Sequence, residues 1–203
     1  MAFLTATAVV SRVGTASLAG HQIMMQLWNF MSLILDSLAI AAQSLTGAAL
    51  GAGSAKHARG VGSKVVLYST IFSGLLAAVF AAGAGIIPRI FTSAPEVLDA
   101  IGQPWWILVA MVIGGGVVFA LDGVLLGAGD AAFLRTLTIS SVLVGFLPGV
   151  ILAHFMGTGL TGVWCGLAAF IAFRMVGVVY RFRSMKWAVV QAVSYTHLTL
   201  PTN

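Results

Sequence analysis

From Gln22 to Leu50 the chain is apolar and uniform enough to cross a membrane, yet one charged residue, Asp36, stands near the middle. A bilayer has a hydrocarbon core of about 30 Å, which takes about 20 residues of helix to span. Only structures that satisfy every backbone polar group internally survive there, and for runs of this length that means α-helices. Four further runs of similar character follow: Lys64 to Ile87, Trp106 to Gly127, Leu137 to Phe155 and Leu160 to Tyr180. A shorter run, Met1 to Val13, reads as the end of a span whose beginning is missing; it has no basic leader of a cleavable signal peptide. The expected fold is all-α: a polytopic transmembrane helix bundle of about six spans, the first truncated.

Composition agrees. The chain is 60% hydrophobic and 7% charged, against about 25% charged for a soluble domain. Its net charge of +5 does not point to nucleic acid, because the basic residues sit mostly between the apolar runs and read as topology signals. Lys56, Arg59 and Lys64 fall in one connection, Arg135 in another, and Arg181, Arg183 and Lys186 after the last span. The connection with Arg89 also holds Glu96 and Asp99, and HFMGTGLTG has neither Lys nor Arg. The positive-inside rule then places the C-terminus in the cytoplasm; the expected location is the cell's inner (plasma) membrane, crossed several times.

Residues 1–193 form the expected transmembrane unit. Residues 194–203, within SYTHLTLPTN, differ in character from everything before them and resemble a translated cloning sequence, so they carry no functional weight. Ser93-Ala94-Pro95-Glu96 has capping-box spacing, and predicts an amphipathic surface helix ahead of Trp105-Trp106. Cys165 reads as a small packing residue.

Placed on a helix at about 100° per residue, Gln22, Gln26, Asn29, Ser32, Asp36 and Gln43 fall within roughly 120° of arc. Such a stripe is unsuited to lipid. An aspartate at mid-membrane costs about 2.5–3.5 kcal/mol, whereas each Leu, Ile or Phe returns roughly 0.3–0.6 kcal/mol. The stripe should therefore line a cavity or bond a neighbouring helix. Intramembrane carboxylates mark ion or substrate paths, and protonation would neutralise Asp36, which makes it a candidate for ion coupling. The fourth span carries Asp122, either a second titrating group or a partner for Arg174; Arg174 alone is expected to reach for the membrane surface. Gly114, Gly115 and Gly116 serve as a hinge or as a packing surface. Gly116, Ala120, Gly123 and Gly127 make a small-residue seam. Pro148 predicts a kink. Asp130 and Arg135 read as a surface pair, and His21 as a boundary residue. No phosphate-binding loop, metal-ligand spacing or nucleophile–base set occurs, so neither an enzyme nor a cofactor is expected.

Two blocks carry a resemblance. LAGHQIMMQLWNFMSLILDSLAIAAQSLTGAALGAG followed by AR, and then FALDGVLLGAGDAAFLR, resemble the multidrug and toxic compound extrusion (MATE) family, most closely its DinF-like branch, with the likeness running to about Val190. That resemblance implies an antiporter expelling cationic or amphipathic drugs and toxins in exchange for H+ or Na+, built as twelve spans in two six-helix lobes. It implies that this chain is the C-terminal lobe, spans seven to twelve. Its partners are then the lipid bilayer, small cationic or amphipathic substrates and a missing N-terminal lobe. The branch's cation-binding carboxylate lies in that other lobe, so a coupling role for Asp36 and Asp122 rests on their cost in lipid. Two alternatives stand beside the exporter: a half-size membrane protein acting as a homodimer or scaffold, and a lipid-precursor flippase.

Overall fold

A computed structural model of the chain describes residues 2–11 and 14–189. The proposed tail at 194–203 lies outside the described residues. Helix α1 spans Ala2–Val10, α2 Thr15–Gly51, α3 Ala55–Ala82, α4 Ile87–Phe91 and α5 Pro95–Gly127. Then follow α6 Ala131–Ser140, a π-helical segment Ser141–Phe146, α7 Leu147–Met156 and α8 Gly159–Ser184. Five of the resulting rods, with α6, the π segment and α7 counted as one, are long and apolar enough to cross a membrane. No strand occurs among the described residues.

The bundle is built around α5, which packs against α2, α3 and α8. Small residues make this possible. A Cβ on Gly123 would collide with the backbone carbonyl of Ala39, and one on Gly127 with that of Gln43. The two glycines are four apart, so they lie on one face and let the α2 and α5 backbones touch. The sequence seam divides at Gly116. That residue faces α3 instead, where Ser69 Oγ donates to the Gly116 carbonyl at 2.8 Å. Gly114 lies against Ile171, and Gly115 against Leu35 and Trp28. Helix α5 runs unbroken through the triplet, so the three glycines form a packing surface rather than a break.

Several boundaries differ from the sequence reading. The basic, glycine-rich run from Ala55 is helical, and the connection before it shrinks to a turn. Ser54 caps it by accepting a hydrogen bond from the His57 backbone N–H at 3.2 Å. Glycine misleads here because Gly62 is present for close approach: a Cβ on it would lie 2.8 Å from the Phe182 ring. The expected surface helix is continuous with span four, and Pro104 sits inside it. The capping box does not form: Ala94 is the N-cap, no side chain caps the helix, and Pro95 supplies the pre-set first turn. Trp105 is buried, stacked on Phe80 and donating to the Phe80 carbonyl at 3.0 Å, while Trp106 stays exposed.

Pro148 does disrupt its span. It offers no N–H, and its ring crowds the carbonyl four residues back. The π segment ends two residues before it, at Phe146, and the Leu147 N–H reaches Val142, five residues back. Cys165 is exposed rather than packed inside.

The turns at the basic end repeat one another. Gly51-Ala52-Gly53-Ser54-Ala55 and Gly127-Ala128-Gly129-Asp130-Ala131 share a pattern. Gly53 and Gly129 adopt φ of 79° and 77°. The following N–H groups, of Ser54 and Asp130, return to Ala49 and Leu125 at 3.1 and 2.9 Å. This is the left-handed helix stop that glycine allows without strain, and it sends both hairpins back from the same end.

A polar groove between four helices as the candidate site

The α2–α5 contact fixes where the stripe points. Met24, Trp28, Met31, Leu35, Ala39 and Ala42 form the buried face of α2. The stripe lies beside that face, not opposite it, and Gln22, Gln26, Asn29, Asp36 and Gln43 are all exposed on the isolated bundle. Asn29, Ser32, Asp36 and Gln43 line a groove of about 600 Å³ with Asp122 and Phe119 of α5, Arg135 and Thr138 of α6, and Arg174 of α8. Gln22 and Gln26 continue the exposed face but are not among the groove's lining residues. Ser32 spends its hydroxyl on the Trp28 carbonyl at 2.8 Å.

The two carboxylates are held differently. Asp122 accepts a hydrogen bond from Arg174 Nη2 at 2.7 Å, and the two side chains are 16% and 19% exposed. Arg174 Nη1 also donates to Thr138 Oγ1 at 2.9 Å. One guanidinium therefore ties α8 to both α5 and α6. Of the two readings open for Asp122, the partnership with Arg174 is the one formed, and Arg174 does not simply reach for the surface. Asp122 Oδ1 and Arg174 Nε are buried and make no hydrogen bond among the described residues. Each remains able to bond water or a ligand. Asp36 is exposed, has no hydrogen bond or ion pair among the described residues, and lies near enough to Asp122 for their like charges to repel. A carboxylate so placed, unpaired among the described residues and sharing the groove with a paired one, is free to meet a cation or a hydrogen-bond donor.

Other expectations need correction. Asp130 does not pair with Arg135. It binds Arg181 bidentately, at 2.6 and 3.1 Å, and that guanidinium also lies 4.9 Å from the Phe133 ring centre. Asp130 stands in the repeated turn, where α8 passes, while Arg135 faces the groove. His21 is no boundary residue: it is fully buried. Its Nε2 lies 3.0 Å from Thr7 Oγ1 and its ring meets Trp164 edge-on. The sequence reading set α2 to begin seven residues too late, at Gln22 rather than Thr15, and so put His21 outside it. Gly114, Gly115, Gly116 and Pro148 shape the helices around the groove without lining it. Arg135 and Thr138 were missed as groove residues; their spacing of three on α6, one turn apart, was the available signal.

A second cavity of similar size lies between α1, α7 and α8, lined by Thr5, Val9, Val150, Phe155 and Val163 among others. None of its lining residues among the described ones is charged, so the charged groove is the better candidate site. Among the described residues, no group of three or more His, Cys, Asp or Glu could hold a metal ion.

Comparison with known proteins decides the family. The MatE family model matches residues 1–151. The chain belongs to the MatE family. The chloroplastic protein DETOXIFICATION 44 of Arabidopsis thaliana is 33% identical over 93% of this chain and 36% of its own length. The probable multidrug resistance protein NorM of Thermotoga maritima is 25% identical over 86% of this chain and 38% of its own. The crystal structure of the eukaryotic MATE transporter AtDTX14 superposes with a TM-score of 0.87 at 19% identity, over 92% of this chain and 42% of that one. The MatE chain described here thus has the fold of one transporter lobe and spans a little over a third of the length of these relatives. It is a multi-pass membrane protein of a transporter family, not an enzyme.

Proposed function

We propose that this chain is the C-terminal lobe of an ion-coupled antiporter that carries cationic or amphipathic drugs and toxins out of the cell in exchange for H+ or Na+. One observation carries the reading: an unpaired carboxylate, Asp36, stands on the open face of α2 beside a second, Arg174-bound carboxylate in a groove about 600 Å³ in volume. An isolated lobe exposes this polar face, and a second lobe packed over α2 would enclose it. The names of the mouse relative, multidrug and toxin extrusion protein 2, and of the Thermotoga relative support the substrate class. The distribution of Lys56, Arg59, Arg135, Arg181 and Arg183 supports a cytoplasmic basic end and C-terminus; the inner (plasma) membrane is where export out of the cell would require the protein to sit. The groove speaks less for a phosphate-carrying flippase: of its two lining arginines Arg174 is engaged by Asp122, which leaves Arg135 to meet a phosphate alone.

The protein carrying both lobes is reconstituted in vesicles loaded with a cationic dye, and dye efflux is followed under an imposed proton or sodium gradient. Efflux is expected under one of the two gradients and should stop when an ionophore collapses it. Efflux equal to that of protein-free vesicles under both gradients overturns the proposal.

A further inference from the structure

At the end of the bundle opposite the basic turns, α4 joins α3 to α5. Only Pro88 of this short helix is buried. Ile86, Ile90 and Phe91 are 67%, 74% and 46% exposed, and Trp106 of α5 is 57% exposed. Such side chains at the end of membrane spans belong at the headgroup level, where tryptophan is enriched. Their chain neighbours Gly85 and Arg89, with Asp99, Gly102, Trp105 and Trp106 among others, line a cavity of about 200 Å³. Arg89 and Asp99 share this cavity, yet both are exposed and neither makes a hydrogen bond or ion pair, with each other or elsewhere among the described residues. Two opposite charges left apart across one cavity at headgroup depth are complementary to a ligand bearing both charges.

We propose that this cavity binds the headgroup of a zwitterionic aminophospholipid, with its phosphate on Arg89 and its ammonium on Asp99. The guanidinium fork suits phosphate oxygens. An ammonium offers three donors to the Asp99 carboxylate and can also lie against the Trp106 ring. The acyl chains then run along exposed Ile86, Ile90 and Phe91. An anionic lipid without an amine matches only half the site. Asp99 would repel it, as would Glu96, which lies one helical turn before Asp99 without lining the cavity. The proposal does not depend on transport.

The test uses the 203-residue chain, purified in mild detergent and stripped of lipid. Native mass spectrometry compares retention of phosphatidylethanolamine and phosphatidylglycerol with identical acyl chains. Phosphatidylethanolamine should be retained preferentially. Arg89→Gln and Asp99→Asn should each weaken it by about tenfold, the scale of one hydrogen bond to a charged group. Asp99→Asn should also narrow the preference over phosphatidylglycerol. Both side chains are exposed and unbonded, so helicity by circular dichroism should not change. Equal retention of the two lipids, or variants that retain phosphatidylethanolamine like the parent, would overturn the assignment. So would soluble phosphoethanolamine binding as tightly as the lipid, since the site would then be one for a free phosphate ester.

Discussion

Arg174→Gln should destabilise the bundle by about 3 kcal/mol, and adding Asp122→Asn should restore most of the loss. The single change leaves a carboxylate that is 16% exposed without its counter-ion. Breaking a buried pair from one side costs about 3–5 kcal/mol because the remaining charge is stranded. The lower end applies here, since both side chains keep some exposure to the groove. The double change removes the stranded charge and leaves two amides of similar shape. Thermal unfolding of the four proteins in detergent gives the cycle directly. Additive losses would mean that the 2.7 Å contact between Arg174 and Asp122 contributes little, and that Arg174 acts only through its bond to Thr138.

Gly123→Val should be comparably severe for a different reason. A Cβ at Gly123 would lie 2.8 Å from the Ala39 Cα and carbonyl carbon, and closer still to the carbonyl oxygen. The obstacle is backbone on backbone, so no rotamer change relieves it and α2 must move away. Overpacking costs about 1–3 kcal/mol and sometimes more. A control separates this from helix propensity. Gly60→Ala on α3 meets nothing within 4 Å and should stabilise by up to about 1 kcal/mol. Opposite signs for the two changes, read as shifts in melting temperature, are the expected result; a Gly123→Val protein that melts like the parent would remove the close crossing. The consequence reaches the site. The α2–α5 contact is what holds Asp36 and Asp122 in one groove, so a displaced α2 would open the site as well as weaken the bundle.

How far these features could be read from the chain depends on the range of the interaction. The spans and the polar stripe are local: hydropathy sets the first and a 3.6-residue period sets the second. The cost of an aspartate in lipid was enough to single out Asp36 and Asp122. Pairings across helices were harder. Asp130 and Arg135 are near in sequence, but Asp130 ends a turn and Arg135 faces the groove; Arg181, from the last helix, takes the carboxylate. Arg174 had two readings because a snorkelling arginine and a paired one look alike in one dimension. His21 was misplaced with the start of α2. Glycine deceived twice. In the basic run it suggests a loop, although Gly62 is there to admit Phe182, and in α5 it suggests a hinge where Gly114, Gly115 and Gly116 in fact meet three different neighbouring helices. The repeated Gly-Ala-Gly-Ser/Asp-Ala turn was present in the sequence and went unread; it marks two equivalent hairpins at one end of the bundle. Nothing in the residues announced the π segment, although Pro148 announced that the span would not be regular.

On the proposed function, the groove's two acids would have separate tasks. Arg174 already neutralises Asp122 and ties three helices together around it. Asp36 has no such partner among the described residues and, in the proposed two-lobe protein, would face the side that the second lobe covers. Charge that must be exchanged during a cycle is better placed on Asp36 than on Asp122, and the central claim therefore falls on Asp36.

The decisive measurement is gradient-driven dye efflux by the two-lobe protein carrying Asp36→Asn, set beside the parent and Asp36→Glu at equal amounts of inserted protein. The asparagine keeps the size and the hydrogen-bonding capacity but cannot take up or release a proton or neutralise a cation. Efflux at the level of protein-free vesicles, with partial activity for Asp36→Glu, is the predicted result. Efflux for Asp36→Asn that matches the parent, with the same dependence on the imposed gradient, would contradict it.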